Sequence, residues 1–138
     1  IPTLSKKADF ISIGSNDLFQ FFFASDRNGP KVSDRYDPLS PAGLKFLENI
    51  LNECKAASIP VSLCGEMAGD PLDAMALIGV GFRSLSMTPS SIGPVKRMLQ
   101  NLSVEKLKNY LKSHRSGSKH SLRKNLQKFA IENNFINW

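Results

Sequence analysis

One pattern, run three times between residues 9 and 100, constrains this chain more than anything else in it. A short β-rich run is followed by a polar or glycine-bearing loop and then by a helix-like segment. Strands separated by helices of this length pair in parallel, because a parallel neighbour can be reached only by a long crossover and a helix supplies one. The pattern predicts an α/β fold built on a parallel sheet. In such folds ligands sit beyond the carboxyl ends of the strands, which directs attention to three short loops.

The first unit has a strand over residues 10–14, the loop Ser15-Asn16-Asp17 and a helix starting there, with Ser15 or Asn16 as its N-cap and Leu18, Phe21 and Phe22 at helical spacing. A polar stretch over residues 25–40, broken by Asn28-Gly29-Pro30 and Asp37-Pro38, reads as a long loop. Ser40-Pro41 then sets an N-cap with proline at the first helical position, and Leu44, Leu47, Ile50, Leu51 and Cys54 follow at the helical period until about Ser58. The second unit has a strand over residues 59–64, a loop over 65–69, and a helix opened by Asp70-Pro71 and closed by Gly79 and Gly81. The third has a strand over residues 82–87, the loop Thr88-Pro89-Ser90-Ser91, and a helix marked by Ile92, Val95, Met98 and Leu99. Residues 101–138 differ. They carry two amphipathic helices, over 104–111 and 122–131, joined by a Ser-, Gly- and Lys-rich linker over 113–121, and no strand.

Composition sets the remaining bounds. Apolar residues are 41% and charged residues 22% of the 138, as in a soluble globular protein. The richest apolar stretch, residues 18–24, is far below the roughly 18 residues of a membrane span. The chain opens Ile1-Pro2-Thr3-Leu4 with neither a starting Met nor a signal peptide, and a strand arrives by about residue 9, so a cut from something longer is expected. Cys54 and Cys64 lack metal-like spacing and make no disulfide framework, which points to a reduced, cytoplasmic setting. The net charge of +6 lies wholly in residues 101–138, where eight Lys and Arg face Glu105 and Glu132. A solvated helical face is expected there rather than a nucleic-acid or membrane surface.

The strand-end loops are polar where chemistry would sit. Asp17, beside Asn16, can offer a carboxylate to a hard cation such as Mg²⁺, or the pair can simply cap a helix. Cys64, ahead of Gly65-Glu66, can act as proton donor or nucleophile, or can be a small buried residue at a strand end. Arg27 can grip a phosphate with two parallel hydrogen bonds, or lie solvated in its loop, and Arg35 has the same ambiguity. Cys54 falls on the apolar stripe of its helix. His114 and His120 have no partner at metal spacing and read as surface residues.

Four segments in order resemble the phosphoenolpyruvate-utilising enzymes. Asp9-Phe10-Ile11-Ser12-Ile13-Gly14-Ser15-Asn16-Asp17-Leu18 is similar to the family's D-F-[FL]-S-[IV]-G-[ST]-N-D-L segment. Tyr36-Asp37-Pro38-Leu39-Ser40-Pro41-Ala42 and Cys64-Gly65-Glu66-Met67-Ala68-Gly69-Asp70 resemble two more of its motifs, and Ser84-Leu85-Ser86-Met87 its last barrel strand. The likeness spans about residues 5–100 and is nearest to enzyme I of the phosphotransferase system. Residues 22–27 and 34–38 look more like the nitrogen-related than the sugar branch. One departure is Arg27-Asn28-Gly29, where the family commonly has Gly then Asn after the arginine.

The resemblance implies strands six to eight of a (β/α)₈ TIM barrel over residues 1–100, with a basic helical tail over 101–138. It implies phosphoryl transfer from Mg²⁺-bound phosphoenolpyruvate to a protein histidine and then to a histidine-containing phosphocarrier protein, releasing pyruvate. Asp17 would be one of two acidic Mg²⁺ ligands, Asn16 and Arg27 would hold the phosphate, and Cys64 would give the enolate its proton. The second acidic ligand, further arginines and the phosphorylated histidine would come from earlier segments, and the parent enzyme would be a homodimer. A dikinase or synthase of the same family, or a non-catalytic dimerisation module, is the alternative.

Overall fold

A computed structural model describes residues 3–4, 6–25, 36–114 and 120–135. Three strands form one sheet in the order β1 (Ile11–Gly14), β2 (Val61–Cys64), β3 (Leu85–Ser86), and both pairs are parallel. The repeated unit therefore does what its spacing requires. Helices α1 (Ser15–Phe23) and α2 (Pro41–Ala56) lie between β1 and β2. A single turn α3 (Glu66–Gly69) and then α4 (Pro71–Val80) lie between β2 and β3. Helices α5 (Pro89–Asn101), α6 (Val104–His114) and α7 (Arg123–Glu132) complete the chain.

Two helix starts follow directly from the cap-then-proline pairs. The Ser40 hydroxyl accepts from Gly43 N–H at 3.0 Å, and the Asp70 carboxylate accepts from Leu72 and Asp73 N–H at 3.0 and 2.9 Å. Each satisfies donors that a first turn leaves unpaired, while Pro41 and Pro71 give up an N–H that had no partner. Elsewhere the elements differ from expectation. α1 springs straight from β1, with Gly14 at the N-cap and no side-chain cap, so neither Ser15 nor Asn16 caps it. Residues 66–69 coil into a turn of helix instead of an open loop. β3 has two residues where six were expected, because Phe82 turns wholly into the core and Arg83 bonds back to the carbonyls of Ile78 and Phe82. α5 starts at Pro89, ahead of Ile92.

Helix α4 is the centre of the molecule. Every residue from Leu72 to Val80 is buried, with α2, α5, α6 and α7 packed around it. Gly79 lies inside α4 rather than ending it. A Cβ there would stand 2.5 Å from Leu111 Cδ1 and 2.9 Å from Leu107 Cγ, so the missing side chain lets α6 seat closely. Gly81, at φ +126°, is the stop.

The sheet has two unlike faces. Ile13 and Leu63 point into the helices and are buried. Ser12, Gly14, Ser62, Cys64 and Ser86 alternate onto the other side, where they are half-buried or exposed. Parallel sheets are normally covered on both faces. Here one face is packed and the other is a floor of small, mostly polar residues.

Candidate functional site

Register brings the three strand ends to one level. Gly14 pairs with Cys64, and Cys64 pairs with Ser86. The loops that follow, which carry Asn16, Glu66 and Thr88, consequently meet at one end of the sheet. A cavity of about 600 Å³ opens there, lined by Asn16, Cys64, Gly65, Glu66, Asp70, Ser86, Thr88 and Ser91 among others. A second cavity of about 590 Å³ lies against it on the side of α7. Asn16, Glu66 and Asp70 line both, and Ser15, Tyr36, Asp37, Asp73, His120 and Arg123 belong to the second.

Cys64 is half-buried at the end of β2 with a free thiol. The Ser12 hydroxyl donates toward its sulfur at 3.9 Å, and its carbonyl accepts from the Ser15 hydroxyl at 2.9 Å. Ser15 is buried and so ties the start of α1 to the end of β2. The next residue, Gly65, has φ +111°, and a Cβ there would lie 2.5 Å from Ser15 Oγ. Glycine is thus needed twice over, for the backbone angle and for the space. Asn16 sits between the two cavities, and its own carbonyl accepts from Tyr36 Oη at 3.4 Å.

Asp17 is exposed in the first turn of α1, and Gln20 Nε2 donates to its carboxylate at 3.3 Å. It is not spent on capping, and it lines neither cavity. Among the described residues no group of three or more His, Cys, Asp and Glu is gathered as a metal cage. The structure thus does not bring Asp17 into the cavity that gathers Asn16 and Cys64, whose lining carboxylates are Glu66 and Asp70. Arg27 and Arg35 lie outside the described residues.

The structure also gathers groups that sequence reasoning missed. Asp73, buried inside α4, faces Arg123 at the start of α7, with Nη2 3.0 Å from Oδ1 and donating to Oδ2 at 3.3 Å. Burial raises the Asp73 carboxyl to about 7, outweighing the lowering by Arg123. An acid within an apolar helical run, without a local counter-charge, was the available signal. His120 is exposed at the rim of the second cavity. His114 is half-buried and stacks on Tyr110 at 4.0 Å. Cys54 is buried, and burial pushes its thiol up. No helix among the described residues is long and apolar enough to cross a membrane.

Comparison with known proteins is consistent with this geometry. Residues 1–104 match the family described as PEP-utilising enzyme, PEP-binding domain. The chain is 44% identical over 109 residues to the phosphoenolpyruvate-dependent phosphotransferase system protein of Escherichia coli, covering 79% of this chain and 15% of that one. It is 43% identical over 104 residues to the phosphoenolpyruvate-protein phosphotransferase of Borreliella burgdorferi, covering 75% and 18%. The protein of that name in Mycoplasma genitalium is 35% identical over 134 residues, covering 96% and 23%. The chain thus spans under a quarter of the length of each of these relatives.

Proposed function

The chain belongs to the phosphoenolpyruvate-utilising enzymes as their phosphoenolpyruvate-binding domain, and from that premise we propose that it is the substrate-binding end of a phosphoenolpyruvate–protein phosphotransferase of the enzyme I type. The observation that supports this reading is the meeting of Asn16 and Cys64 at one cavity beyond the carboxyl ends of parallel strands.

In this reading β1, β2 and β3 are strands six to eight of a TIM barrel, whose other strands close over the open face of the sheet. Residues 101–138 form a basic helical tail. Asn16 and Arg27 hold the phosphate of phosphoenolpyruvate. A phosphoryl group in flight spreads negative charge over its oxygens, and an amide N–H and a guanidinium stabilise that charge where it develops. Mg²⁺ supplies further charge neutralisation when bound, and Asp17 is the carboxylate of this chain that would hold it. The phosphoryl group leaves for a histidine on another domain and passes on to a histidine-containing phosphocarrier protein. The bond from phosphorus to the enol oxygen breaks, and its electron pair stays on that oxygen as an enolate. Cys64 then gives its S–H proton to the methylene carbon, and pyruvate is released. The parent enzyme acts in the cytoplasm as a homodimer. Residues 22–27 and 34–38 favour its nitrogen-related branch.

The test is phosphoryl transfer from phosphoenolpyruvate to a purified carrier by the full natural polypeptide. Cys64→Ala is expected to lower transfer by at least ~10²-fold, the lower range for a lost general acid, with substrate affinity retained. Near-normal turnover in that variant would remove Cys64 from the mechanism, and absence of transfer by the unaltered polypeptide would remove the reaction.

A further inference from the structure

Ser12 has no role in the mechanism above, yet its hydroxyl is the hydrogen-bond partner of the Cys64 sulfur among the described residues. We propose that Ser12 is a positioning residue for Cys64, reaching across the open sheet face from β1 to β2 to aim the thiol at the reacting carbon. The proposal rests on reading Cys64 as the proton donor.

The backbone of Cys64 is already fixed. It is paired to Gly14 on one side and Ser86 on the other, and its carbonyl is held by Ser15. What remains free is the rotation that swings the sulfur among three staggered wells. Packing within this chain does not choose among them. Gly14 offers no side chain, and even a Cβ there would meet nothing within 4 Å. Ser86 is small and exposed. A directional contact must do the choosing, and Ser12 lies on the same face, diagonal to Cys64 in the ladder.

The contact of 3.9 Å is long for a bond to sulfur. Hydrogen bonds at catalytic groups commonly tighten only when substrate is bound. It also gains strength during the step itself. When the S–H bond breaks and the C–H bond forms, the electron pair of the former S–H stays on sulfur, and a hydroxyl donating to a thiolate is bonded to a full charge rather than to a weak neutral acceptor. Ser12 is exposed within this chain, so none of its own core packs against the hydroxyl.

The decisive measurement needs no substrate. Alkylation of Cys64 in the full natural polypeptide can be followed by mass spectrometry of the tryptic peptide covering residues 56–83, which separates it from Cys54. Across a pH series with iodoacetamide, Ser12→Ala is expected to slow alkylation at neutral pH by about threefold to tenfold, the size of one lost hydrogen bond. Ser12→Thr, which keeps the hydroxyl, should retain the original rate, as should Ser62→Ala on the same face. An unchanged rate in Ser12→Ala, or an equal loss in Ser62→Ala, overturns the proposal. In turnover assays Ser12→Ala should lower kcat and leave KM for phosphoenolpyruvate unmoved. If Cys64 is not the proton donor, kcat stays unmoved while the alkylation effect persists, which separates failure of the proton-donor reading from failure of this one.

Discussion

Asp73 stands among helix residues that are all buried, and burial rather than its cationic partner decides its proton. In the unfolded chain the carboxyl titrates near 3.8, and in the fold it is raised to about 7. Between those values the folded state keeps a proton that the unfolded state has lost. By linkage the fold is favoured at the acid end of that interval, and this contribution is lost as pH rises from about 4 through about 7. Thermal melts across that range should show the melting temperature falling toward neutrality, and Asp73→Asn should flatten the slope. Parallel curves for the two proteins would mean that Arg123 holds the carboxylate ionised throughout. Gly65 gives a second prediction at this scale. Gly65→Ala must bear a φ of +111° and a Cβ pressed on Ser15 Oγ, so unfolding titrations should show a loss of about 1–3 kcal/mol. No loss would mean that the backbone there is freer than its contacts imply. Asn16 and Cys64 could be picked out in the sequence because strand ends are where ligands sit. Asp73 could not be understood there, because Arg123, which faces it, is fifty residues away.

Among elements, α4 carries the packing, and the fit between α4 and α6 sets opposing effects against each other at Gly79. Glycine inside a helix costs about 1 kcal/mol relative to alanine, so Gly79→Ala should stabilise if propensity were all. The new methyl would, however, sit 2.5 Å from Leu111 Cδ1, and overpacking of that kind costs typically about 1–3 kcal/mol. Overpacking is expected to win, with Gly79→Ala lowering the unfolding free energy in denaturant titration. A gain in stability would show that α6 can step back. Leu107→Ala, opening a cavity under the same helix, should cost about 2–5 kcal/mol. Cap-then-proline pairs made α2 and α4 legible, since a cap is a local hydrogen bond between residues two or three apart. Gly79 was misread as a helix end because its reason lies on another helix. β3 was overestimated for a related cause: residues 82–84 have strand composition, but the buried Phe82 ring and the Arg83 bonds to the carbonyls of Ile78 and Phe82 hold them out of the ladder.

For the molecule as a whole, counting ligands gives the expectation. The described residues contain no cage of acids, and Asp17 is a single exposed carboxylate. Mg²⁺ held by one carboxylate depends on a second ligand group and on substrate oxygens. Calorimetric titration of residues 1–138 alone with phosphoenolpyruvate and Mg²⁺ should therefore show binding weaker than micromolar, and no transfer to a carrier. Micromolar binding would mean that three strands make a self-sufficient site. The alternation of the parallel strands was legible at this scale, but what covers the second face was not, since a face of Ser, Gly and Cys carries no apolar pattern naming its partner.

That division of faces reaches into heredity. On one side of each strand lie Ile13 and Leu63, bound into the core, and on the other lie Ser12, Gly14, Ser62, Cys64 and Ser86, whose substitution displaces no atom of this chain's own core. Neighbouring codons should thus yield opposite phenotypes. Lesions at 13 or 63 should deplete the protein from the cell, and lesions at 12 or 64 should leave it abundant but less active, mildly at 12 and severely at 64. A mutant library scored for abundance and activity together should alternate between the two outcomes with a period of two residues along β1 and β2.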